Sequence, residues 1–487
     1  MLINIVTTLV LSSCAATRTY RELYFEQELD HFRFDGRTFQ QRYLVDDTHW
    51  KPGSGPILFY SGNEGPIDAF WEASGFVTTT LAERLGGMVL FAEQRYYGKS
   101  LPFGAASTTS AANLAYLNTE QVLADYANMI VSLKPALANG TDVPVVTFGG
   151  SYGGTLSTLF RAKYPHVVVG APAASAPLGY YSPTGRTATP TPRFDEYTWF
   201  NTVVRDYSDA APGCYDTLVD AVALANATLR QHGTAGAASV AKAFHLCAAP
   251  PAVEPFLYWI TEALESIPQV DYPYAVGSLP ALPVNATCAA VTGKRGDALL
   301  AALGGVMAFF YDLASQPDRC FAAAASAQAG GGVPGDGPQN ASSWGYQSCT
   351  ETLHPFSVPP GAWRSFRFDL EEQSALCEAY YGVRPQMGHL ETWGGGYGLA
   401  SAPPRSSLTN VIWSNGKRDP WHGGGFLRPS DARAGGAVFV METTAHHQDL
   451  RLPHPADPAE LVAVRQEEEK LIRAWIGEHW AAKAAAL

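Results

Sequence analysis

Short apolar segments that run into glycine turns alternate with amphipathic stretches in the first 180 residues. The apolar segments fall within residues 56–65, 88–98, 143–154 and 167–177. Short apolar runs bounded by turn residues are typical of strands that are buried on both faces. Each segment is therefore predicted to be a buried strand that leads into a loop.

Residues 119–137 and 458–480 show a different period. Their apolar side chains recur every three or four positions, as in amphipathic helices, and Thr119 is placed to cap the first one. Two more apolar runs, residues 410–416 and 437–443, precede the second helix. Strands that alternate with helices indicate a parallel sheet covered by helices on both faces.

The middle of the chain, about residues 181–390, interrupts this alternation. It contains alanine-rich helical pieces, prolines and six of the 7 cysteines. The simplest architecture is an α/β domain in two parts, residues 17–180 and 391–487, separated by an inserted helical cap.

The first residues, LINIVTTLVLSSCAA, form an apolar run that ends in small residues. The run is too short to span a bilayer and is predicted to be a signal peptide, residues 1–16. Its removal takes Cys14 away and leaves an even number of cysteines, which favours disulfide bonds in an oxidising compartment. Their pairing stays open. The candidates are Cys214, Cys247, Cys288, Cys320, Cys349 and Cys377.

The charge balance limits the possible partners. Charged residues make up 16% of the chain, and the formal net charge is −12. No run of Lys and Arg suggests a polyanion site, so nucleic acid is not expected as a partner. No other segment is predicted to span a membrane. The low charge fits a glycosylated surface. The candidate glycosylation sites are Asn139, Asn226, Asn285 and Asn340.

Ser151 lies in the stretch TFGGSYGGTL, between a predicted strand and a predicted helix. A serine on such a sharp turn has strained backbone angles and needs small neighbours, which the four glycines provide. The helix N-terminus directs amide groups, including that of Tyr152, toward a developing oxyanion. The alternative is a tight glycine turn with a solvated serine. The strand-to-helix context favours a nucleophile.

A serine nucleophile needs a carboxylate and a histidine. Asp419 follows the predicted strand 410–416, and His446 and His447 follow the strand 437–443. Loops after the carboxyl ends of parallel strands are where an α/β site collects its residues. Competing candidates of the same types are Asp431, Asp449 and His422.

The stretch SGNEGP, residues 61–66, follows an early strand. Hydrolases of the α/β type place a second oxyanion donor at this point, so the backbone N–H near Asn63 is a candidate. Arg95, after the next strand, is expected to pair with a carboxylate. No cysteine shows C-x-x-C spacing, and the predicted chemistry requires neither a metal nor another cofactor.

Together these segments resemble the serine carboxypeptidase-like peptidase family of lysosomal Pro-Xaa carboxypeptidase, dipeptidyl peptidase II and thymus-specific serine protease. The resemblance extends from about residue 20 to the C-terminus and implies an α/β-hydrolase fold with an inserted, disulfide-containing helical cap. The DYPYAVGSLPALP and LPFG stretches are most similar to dipeptidyl peptidase II. The matching sequence segments are LDHF, FYSGNEGP, EQRYYGKSLPFG, FGGSYGG, WGYQSCTE, SNGKRDPWHGGG and AHHQDLR.

The resemblance implies Ser151 as nucleophile, Asp419 as acid and His446 as base, because the family uses the first histidine of its pair. It also implies cleavage after proline near a peptide end, through an acyl-enzyme and at acidic pH. Trp413 and Trp421 are candidates for a proline pocket. Relatives suggest a homodimer in the secretory pathway, either in a lysosome or vacuole or outside the cell.

The type of exopeptidase depends on how the substrate's terminus is held. A dipeptidyl peptidase requires a carboxylate for the ammonium group, whereas a carboxypeptidase requires donors for the terminal carboxylate. The dipeptidyl relative is expected to have an acidic residue just before the YQ-x-C motif, where this chain has Gly345. Glu64 or Glu72 could replace it. Our sequence-based prediction is a dipeptidyl peptidase II-like enzyme.

A Pro-Xaa carboxypeptidase is the alternative to this prediction. More distant alternatives are an esterase or lipase of the same fold and a catalytically silent binding protein. The silent protein is disfavoured because all three residue types of a triad are present in the required order.

Overall fold

The computed structural model describes residues 20–181, 194–231, 233–316, 318–322, 339–393 and 408–486, without the side chains of residues 339–342. The predicted signal peptide, residues 1–16, lies outside these ranges.

Within the described residues, a mixed sheet of eight strands forms the centre of the molecule, in the order β1-β2-β4-β3-β5-β6-β7-β8. Strand β2 is antiparallel to both of its neighbours, whereas the pairs from β4 to β8 are parallel. The strands are β1 (Arg21–Glu28), β2 (Thr38–Asp46), β3 (Ile57–Ser61), β4 (Met88–Ala92), β5 (Val145–Gly150), β6 (Ala171–Ala174), β7 (Val411–Gly416) and β8 (Ala437–Met441).

The predicted apolar runs contain five of these strands nearly unchanged, because buried parallel strands read as continuous apolar segments. Strand β6 differs, since it comprises only Ala171–Ala174 and the valines at 167–169 lie before the strand. Strands β1 and β2, which form the antiparallel part of the sheet, were not predicted. Strand β1 alternates between exposed and half-buried positions, so it has no continuous apolar run.

Helices cover both faces of this sheet. Apolar side chains from Thr119–Leu137 and Tyr152–Lys163 pack on one face, and those from the C-terminal helix pack mainly on the other. The α-helices of this part are Ile67–Ala73, Ala82–Leu85, Ala111–Leu114, Thr119–Leu137, Tyr152–Lys163 and Ala459–Ala486.

The cap of helix Thr119–Leu137 differs from the prediction. The side chain of Asn118 accepts a hydrogen bond from the Gln121 N–H and caps the helix. The Thr119 hydroxyl donates instead to the buried Glu351 carboxyl group. The predicted capping side chain, Thr119, therefore binds Glu351, which is 232 positions away in the chain.

Between β6 and β7 the chain forms a helical insertion with its own apolar core. Three disulfides cross it: Cys214–Cys288, Cys247–Cys320 and Cys349–Cys377. All six candidate cysteines are thus paired, which agrees with an oxidising compartment. The helices are Thr198–Ala210, Cys214–Gln231, Gly233–Ala243, Val253–Ser266, Pro283–Val291, Gly296–Phe310, Gln339–Thr350, Leu370–Tyr381 and His389–Trp393.

The mixed sheet with helices on both faces, the turn after β5 and the insertion after β6 form an α/β-hydrolase fold with a disulfide-containing helical cap, as predicted. The division at residues 180 and 390 stays a prediction. In the described part of the chain, no helix has the length and apolar character needed to cross a bilayer.

Candidate active site

Ser151 occupies a strained turn between β5 and helix Tyr152–Lys163. Its backbone angles are φ 59° and ψ −128°, which non-glycine residues rarely adopt. The Ser151 N–H donates to the Ala174 carbonyl on the neighbouring strand at 2.9 Å, which anchors the turn to the sheet. The residue is only half-buried, so a substrate can reach it. This is the geometry of a nucleophile elbow.

The glycines around Ser151 allow two close approaches. A Cβ atom on Gly149 would lie 2.0 Å from the carbonyl oxygen of Gly153, so a side chain there would collide with the helix backbone. A Cβ atom on Gly150 would lie 3.0 Å from the ring of His447. The elbow therefore needs glycine at position 149 to join strand and helix, whereas a side chain at position 150 would press on the His447 ring.

Asp419 and His446 meet beside this turn. The Nδ1 atom of His446 lies 2.6 Å from Oδ2 of Asp419, and both side chains are buried. The other Asp419 oxygen accepts the N–H of Trp421 at 3.0 Å, so the carboxylate is held on both sides. His446 Nε2 is buried and has no hydrogen-bond partner within the described part of the chain.

The competing acids have other partners. Asp449 accepts a hydrogen bond from the Ser414 hydroxyl at 2.6 Å. Asp431 accepts the backbone N–H of Arg428 at 3.3 Å. Neither contact involves a histidine, in contrast to the Asp419 pair.

The two other candidate histidines also differ from His446. The ring of His447 lies 4.4 Å from that of His446, and burial lowers the His447 pKa well below its usual range. Its backbone N–H donates to the Ser175 hydroxyl at 2.8 Å. His422 Nδ1 lies 2.5 Å from the carbonyl oxygen of Asp419, not from its carboxylate. Both histidines are therefore neighbours of the Asp419–His446 pair.

Tyr152 and Asn63, the two candidate oxyanion donors, lie close to the elbow. Tyr152 begins the helix, and its hydroxyl is held at 3.0 Å by both Thr119 Oγ1 and Gln347 Nε2. Asn63 is buried, and a Cβ atom on Gly153 would lie 2.9 Å from its Oδ1 atom. The loop after β3 therefore packs against the first turn of the helix.

Glu64, the next residue in this loop, is half-buried. Its Oε2 atom accepts a hydrogen bond from the Asn63 amide at 2.8 Å. Burial raises the pKa of Glu64, and the hydrogen bond from Asn63 and the charge of nearby His446 oppose that shift. Glu72, in contrast, is exposed on helix Ile67–Ala73. Of the two, only Glu64 lies at the site.

Trp421 and Trp413 lie in different surroundings. Trp413 is buried in β7, and its indole N–H donates to the Thr158 hydroxyl in the sheet core. The ring of Trp421 lies 5.0 Å from that of His354. Tyr181 lies 5.1 Å from the same imidazole. Trp421 thus belongs to an aromatic wall between the sheet and the inserted helices.

His354 is not among the site residues predicted from the sequence. Burial lowers its pKa to about 3, and its Nε2 atom has no hydrogen-bond partner among the described residues. The imidazole is therefore neutral and acts as one more ring in the aromatic wall. No local pattern in its segment could have marked it, because its ring neighbours come from other parts of the chain.

A buried polar network behind Tyr152 was also missed. Glu351 accepts hydrogen bonds from the Thr119 hydroxyl at 2.7 Å and from its backbone N–H at 3.1 Å. Burial raises the pKa of Glu351 to about 7. The WGYQSCTE stretch contains both Gln347 and Glu351, so the family resemblance was the available signal.

One group of side chains has the composition of a metal site. The ligand atoms of Glu120, Glu351 and His389 lie within 4.8 Å of one another. His389 Nε2 pairs with Glu120 at 2.7 Å, and Glu351 is occupied by Thr119. Because these partners already satisfy the group, we assign no metal to it.

The candidate glycosylation sites differ in exposure. Asn139 and Asn285 are exposed, whereas Asn226 is half-buried. The side chain of Asn340 lies outside what the structure describes. Glycosylation at these positions stays a prediction.

The similarity of this protein to known proteins covers nearly the whole chain. Lysosomal Pro-X carboxypeptidase of Homo sapiens is 35% identical over 485 residues, covering 96% of this chain and 90% of that protein. The Mus musculus protein of that name is 36% identical over 476 residues, covering 95% and 90%. Thymus-specific serine protease of Mus musculus is 28% identical over 470 residues, covering 93% and 87%.

A family model for serine carboxypeptidase S28 matches residues 27–468. The match includes the elbow, the Asp419 loop, the His446 loop and the helical insertion between them. The chain therefore belongs to the serine carboxypeptidase S28 family and is a serine-type peptidase.

Proposed function

We propose that this protein is a Pro-Xaa carboxypeptidase that removes the C-terminal residue of a peptide when proline precedes it. The observation that carries the proposal is the 35% identity to a protein of that activity along 96% of the chain. This identity favours a Pro-Xaa carboxypeptidase over the dipeptidyl peptidase II-like enzyme that we predicted from the sequence. Peptides are the substrates, and no metal or other cofactor is part of the mechanism.

The environment of Gly345 supports this choice. A dipeptidyl peptidase II-like enzyme is expected to have an acidic side chain at this position. A Cβ atom on Gly345 would lie 2.2 Å from the Tyr381 hydroxyl oxygen. No side chain fits there unless Tyr381 moves, so the chain lacks both the charge and the space for it.

In the proposed mechanism, His446 Nε2 takes the proton of Ser151 as the hydroxyl oxygen attacks the carbonyl carbon of proline. Asp419 holds the imidazole through Nδ1 and stabilises its charged form. The N–H groups of Tyr152 and of the loop at Asn63 stabilise the oxyanion. The protonated histidine then donates to the leaving amine, and water hydrolyses the acyl-enzyme.

Glu64 is proposed to contact the substrate's terminus. A neutral carboxyl group can donate a hydrogen bond to the peptide's terminal carboxylate, whereas an ionised one repels it. The raised pKa of Glu64 extends the range in which the neutral form exists. This role fits an enzyme that works at acidic pH.

Trp421 and its aromatic neighbours are proposed to hold the proline ring, because flat apolar rings suit its compact shape. Trp413 donates to Thr158 in the sheet core, so we leave it out of this pocket.

We further propose that the protein acts in the secretory pathway, in a lysosome or vacuole or outside the cell. Three disulfides and the lysosomal names of the relatives support this location. The homodimer stays a prediction from the family.

A pair of blocked tripeptides tests the proposed activity. In Ala-Pro-Phe both exopeptidase types cut the same bond, so only the required end group differs. We expect the N-acetylated tripeptide with a free carboxylate to release phenylalanine and the C-terminal amide with a free amine to resist cleavage. The reverse result would establish a dipeptidyl peptidase. Cleavage of acyl esters with neither peptide cut would indicate an esterase.

A further inference from the structure

A short segment of the helical insertion, residues 268–272, holds the backbone of His446 on both sides. The His446 N–H donates to the Gln269 carbonyl oxygen at 3.0 Å. The Tyr272 hydroxyl donates to the His446 carbonyl oxygen at 3.0 Å. Tyr272 also packs on Ala445, the residue before the histidine. The insertion thus fixes the main chain from which the imidazole extends.

The same segment contacts the loop of Asp419. The indole N–H of Trp421 donates to Gln269 Oε1 at 3.0 Å. Arg418, the residue before Asp419, donates to the Asp271 carboxylate at 3.1 Å. Asp271 in turn accepts the Val284 N–H, so it is anchored within the insertion. Residues 268–272 therefore join the two loops that provide the acid and the base.

We propose that Gln269 and Tyr272 are positioning residues, which hold His446 and the Asp419 loop in the geometry that proton transfer from Ser151 requires. The inference rests on the proposed function, since it takes His446 as the base. Displacement of a catalytic group by a fraction of an ångström is costly because proton transfer needs hydrogen-bond distance. The insertion would then be a structural part of the catalytic site as well as its cover.

The chain offers a matched control for Tyr272. The ring of Tyr274 stacks on that of Tyr272 at 6.0 Å with an interplanar angle of 10°. Its hydroxyl lies near the Arg451 side chain and makes no hydrogen bond to the His446 backbone. Tyr274→Phe therefore removes a hydroxyl from the same aromatic pair without removing a hydrogen bond to His446.

The first experiment compares Tyr272→Phe with Tyr274→Phe in the full-length protein. Loss of one hydrogen bond that holds the base should lower kcat about five- to tenfold for Tyr272→Phe. We expect KM to change little, since the ring and the pocket remain. The rate of labelling by a fluorophosphonate should fall by the same factor as kcat. Tyr274→Phe should retain the wild-type kcat.

The second experiment separates the contact to Trp421 from general packing. Gln269→Glu keeps an acceptor for the Trp421 indole, whereas Gln269→Leu removes it at similar size. We expect Gln269→Leu to lower kcat and Gln269→Glu to restore most of it at a pH where the new carboxyl group is ionised. Thermal unfolding of each variant shows whether it is folded.

Wild-type kcat in Tyr272→Phe, or equal losses in Tyr272→Phe and Tyr274→Phe, would overturn the proposal. Ser151→Ala keeps this outcome distinct from a failure of the proposed function. If Ser151→Ala abolishes labelling and Tyr272→Phe labels like wild type, only the positioning role fails. If Ser151→Ala still labels, the assigned nucleophile itself is wrong.

Discussion

His446 and Asp419 are 27 positions apart in the chain, yet Nδ1 of the histidine lies 2.6 Å from Oδ2 of the aspartate. Strands β7 and β8 are adjacent and parallel, so the loops that follow them leave the sheet at the same edge. The second Asp419 oxygen is fixed by the Trp421 N–H. The carboxylate therefore has one orientation, and it determines which imidazole nitrogen keeps its proton.

Asp419→Asn should lower kcat by about 10⁴-fold, because an amide in this place favours the wrong histidine tautomer. The fold should survive, since asparagine can still accept the Trp421 N–H. Hydrolysis of a prolyl peptide and the thermal unfolding temperature measure the two effects. Asp431→Asn, at the competing acid beside Arg428, serves as the control and should have a mild effect on kcat. A larger loss of kcat in Asp431→Asn than in Asp419→Asn would identify Asp431 as the acid.

Ser151→Ala should abolish covalent labelling by a fluorophosphonate probe and reduce peptide cleavage to the background rate. The substitution removes one hydroxyl from a half-buried position, so the unfolding temperature should stay near that of wild type. Mass spectrometry of the labelled wild-type protein should locate the adduct on Ser151. An adduct on another serine, or labelling that persists in the variant, would contradict the assignment.

Gly149→Ala should reduce the free energy of unfolding by about 2–4 kcal/mol, because the added methyl group meets helix backbone that cannot move freely. The new Cβ atom would lie 2.0 Å from the Gly153 carbonyl oxygen. Denaturant unfolding measures the loss. Gly477→Ala is the control, since nothing lies within 4 Å of its Cβ position in the C-terminal helix. It should stabilise the protein by up to about 1 kcal/mol.

Glu64→Gln should extend activity toward higher pH. The raised pKa keeps the wild-type carboxyl group neutral at acidic pH, and the group ionises as the pH rises through that pKa. Ionisation should then raise KM for peptides with a free terminal carboxylate, whereas glutamine stays neutral and KM should remain low. The pH profile of KM tests this. Glu72→Gln, at an exposed position, should keep the wild-type profile, and a wild-type profile in Glu64→Gln would exclude the role.

Glu351→Gln should flatten the dependence of stability on pH. The folded-state pKa of Glu351 is raised to about 7, so its contribution to stability is fully present below the unfolded value and is lost as the pH rises toward 7. The change is on the order of 3 kcal/mol at most. Unfolding temperatures are measured from about pH 4, below the unfolded pKa, to about pH 8, above the folded pKa. Over this range they should decline more in wild type than in the variant. Glu378→Gln, at an exposed carboxyl group, should decline like wild type.

Local patterns predicted much of the sheet and the turn at Ser151. Buried parallel strands are continuous apolar runs, and the elbow needs small residues beside the serine, so both leave a mark within about ten neighbouring positions. Strands β1 and β2 were missed because polar residues interrupt their apolar runs, at partly exposed positions in β1 and at the buried Gln41 and Arg42 in β2. The order of Ser151, Asp419 and His446 along the chain was also readable. Each candidate follows a predicted strand.

Contacts between distant segments were not readable from these patterns. Distances across the fold decide which cysteines pair. They also decide that Thr119 donates to Glu351 and that His354 lies against the rings of Trp421 and Tyr181. Spacing favoured Asp419 but kept Asp431 and Asp449 as competitors, and it left the choice between His446 and His447 to the resemblance. The structure brings Asp419 to His446 and gives the other two acids different partners.

The sequence by itself determined the α/β architecture, the elbow at Ser151 and the family, because these depend on local periodicity, steric need and ordered motifs. Only the tertiary structure decided which side chains meet, including the hold of Gln269 and Tyr272 on the His446 backbone. The physical reason is range. Hydrogen bonds and ring contacts act over a few ångströms in space, and the fold alone brings residues more than a hundred positions apart within that distance.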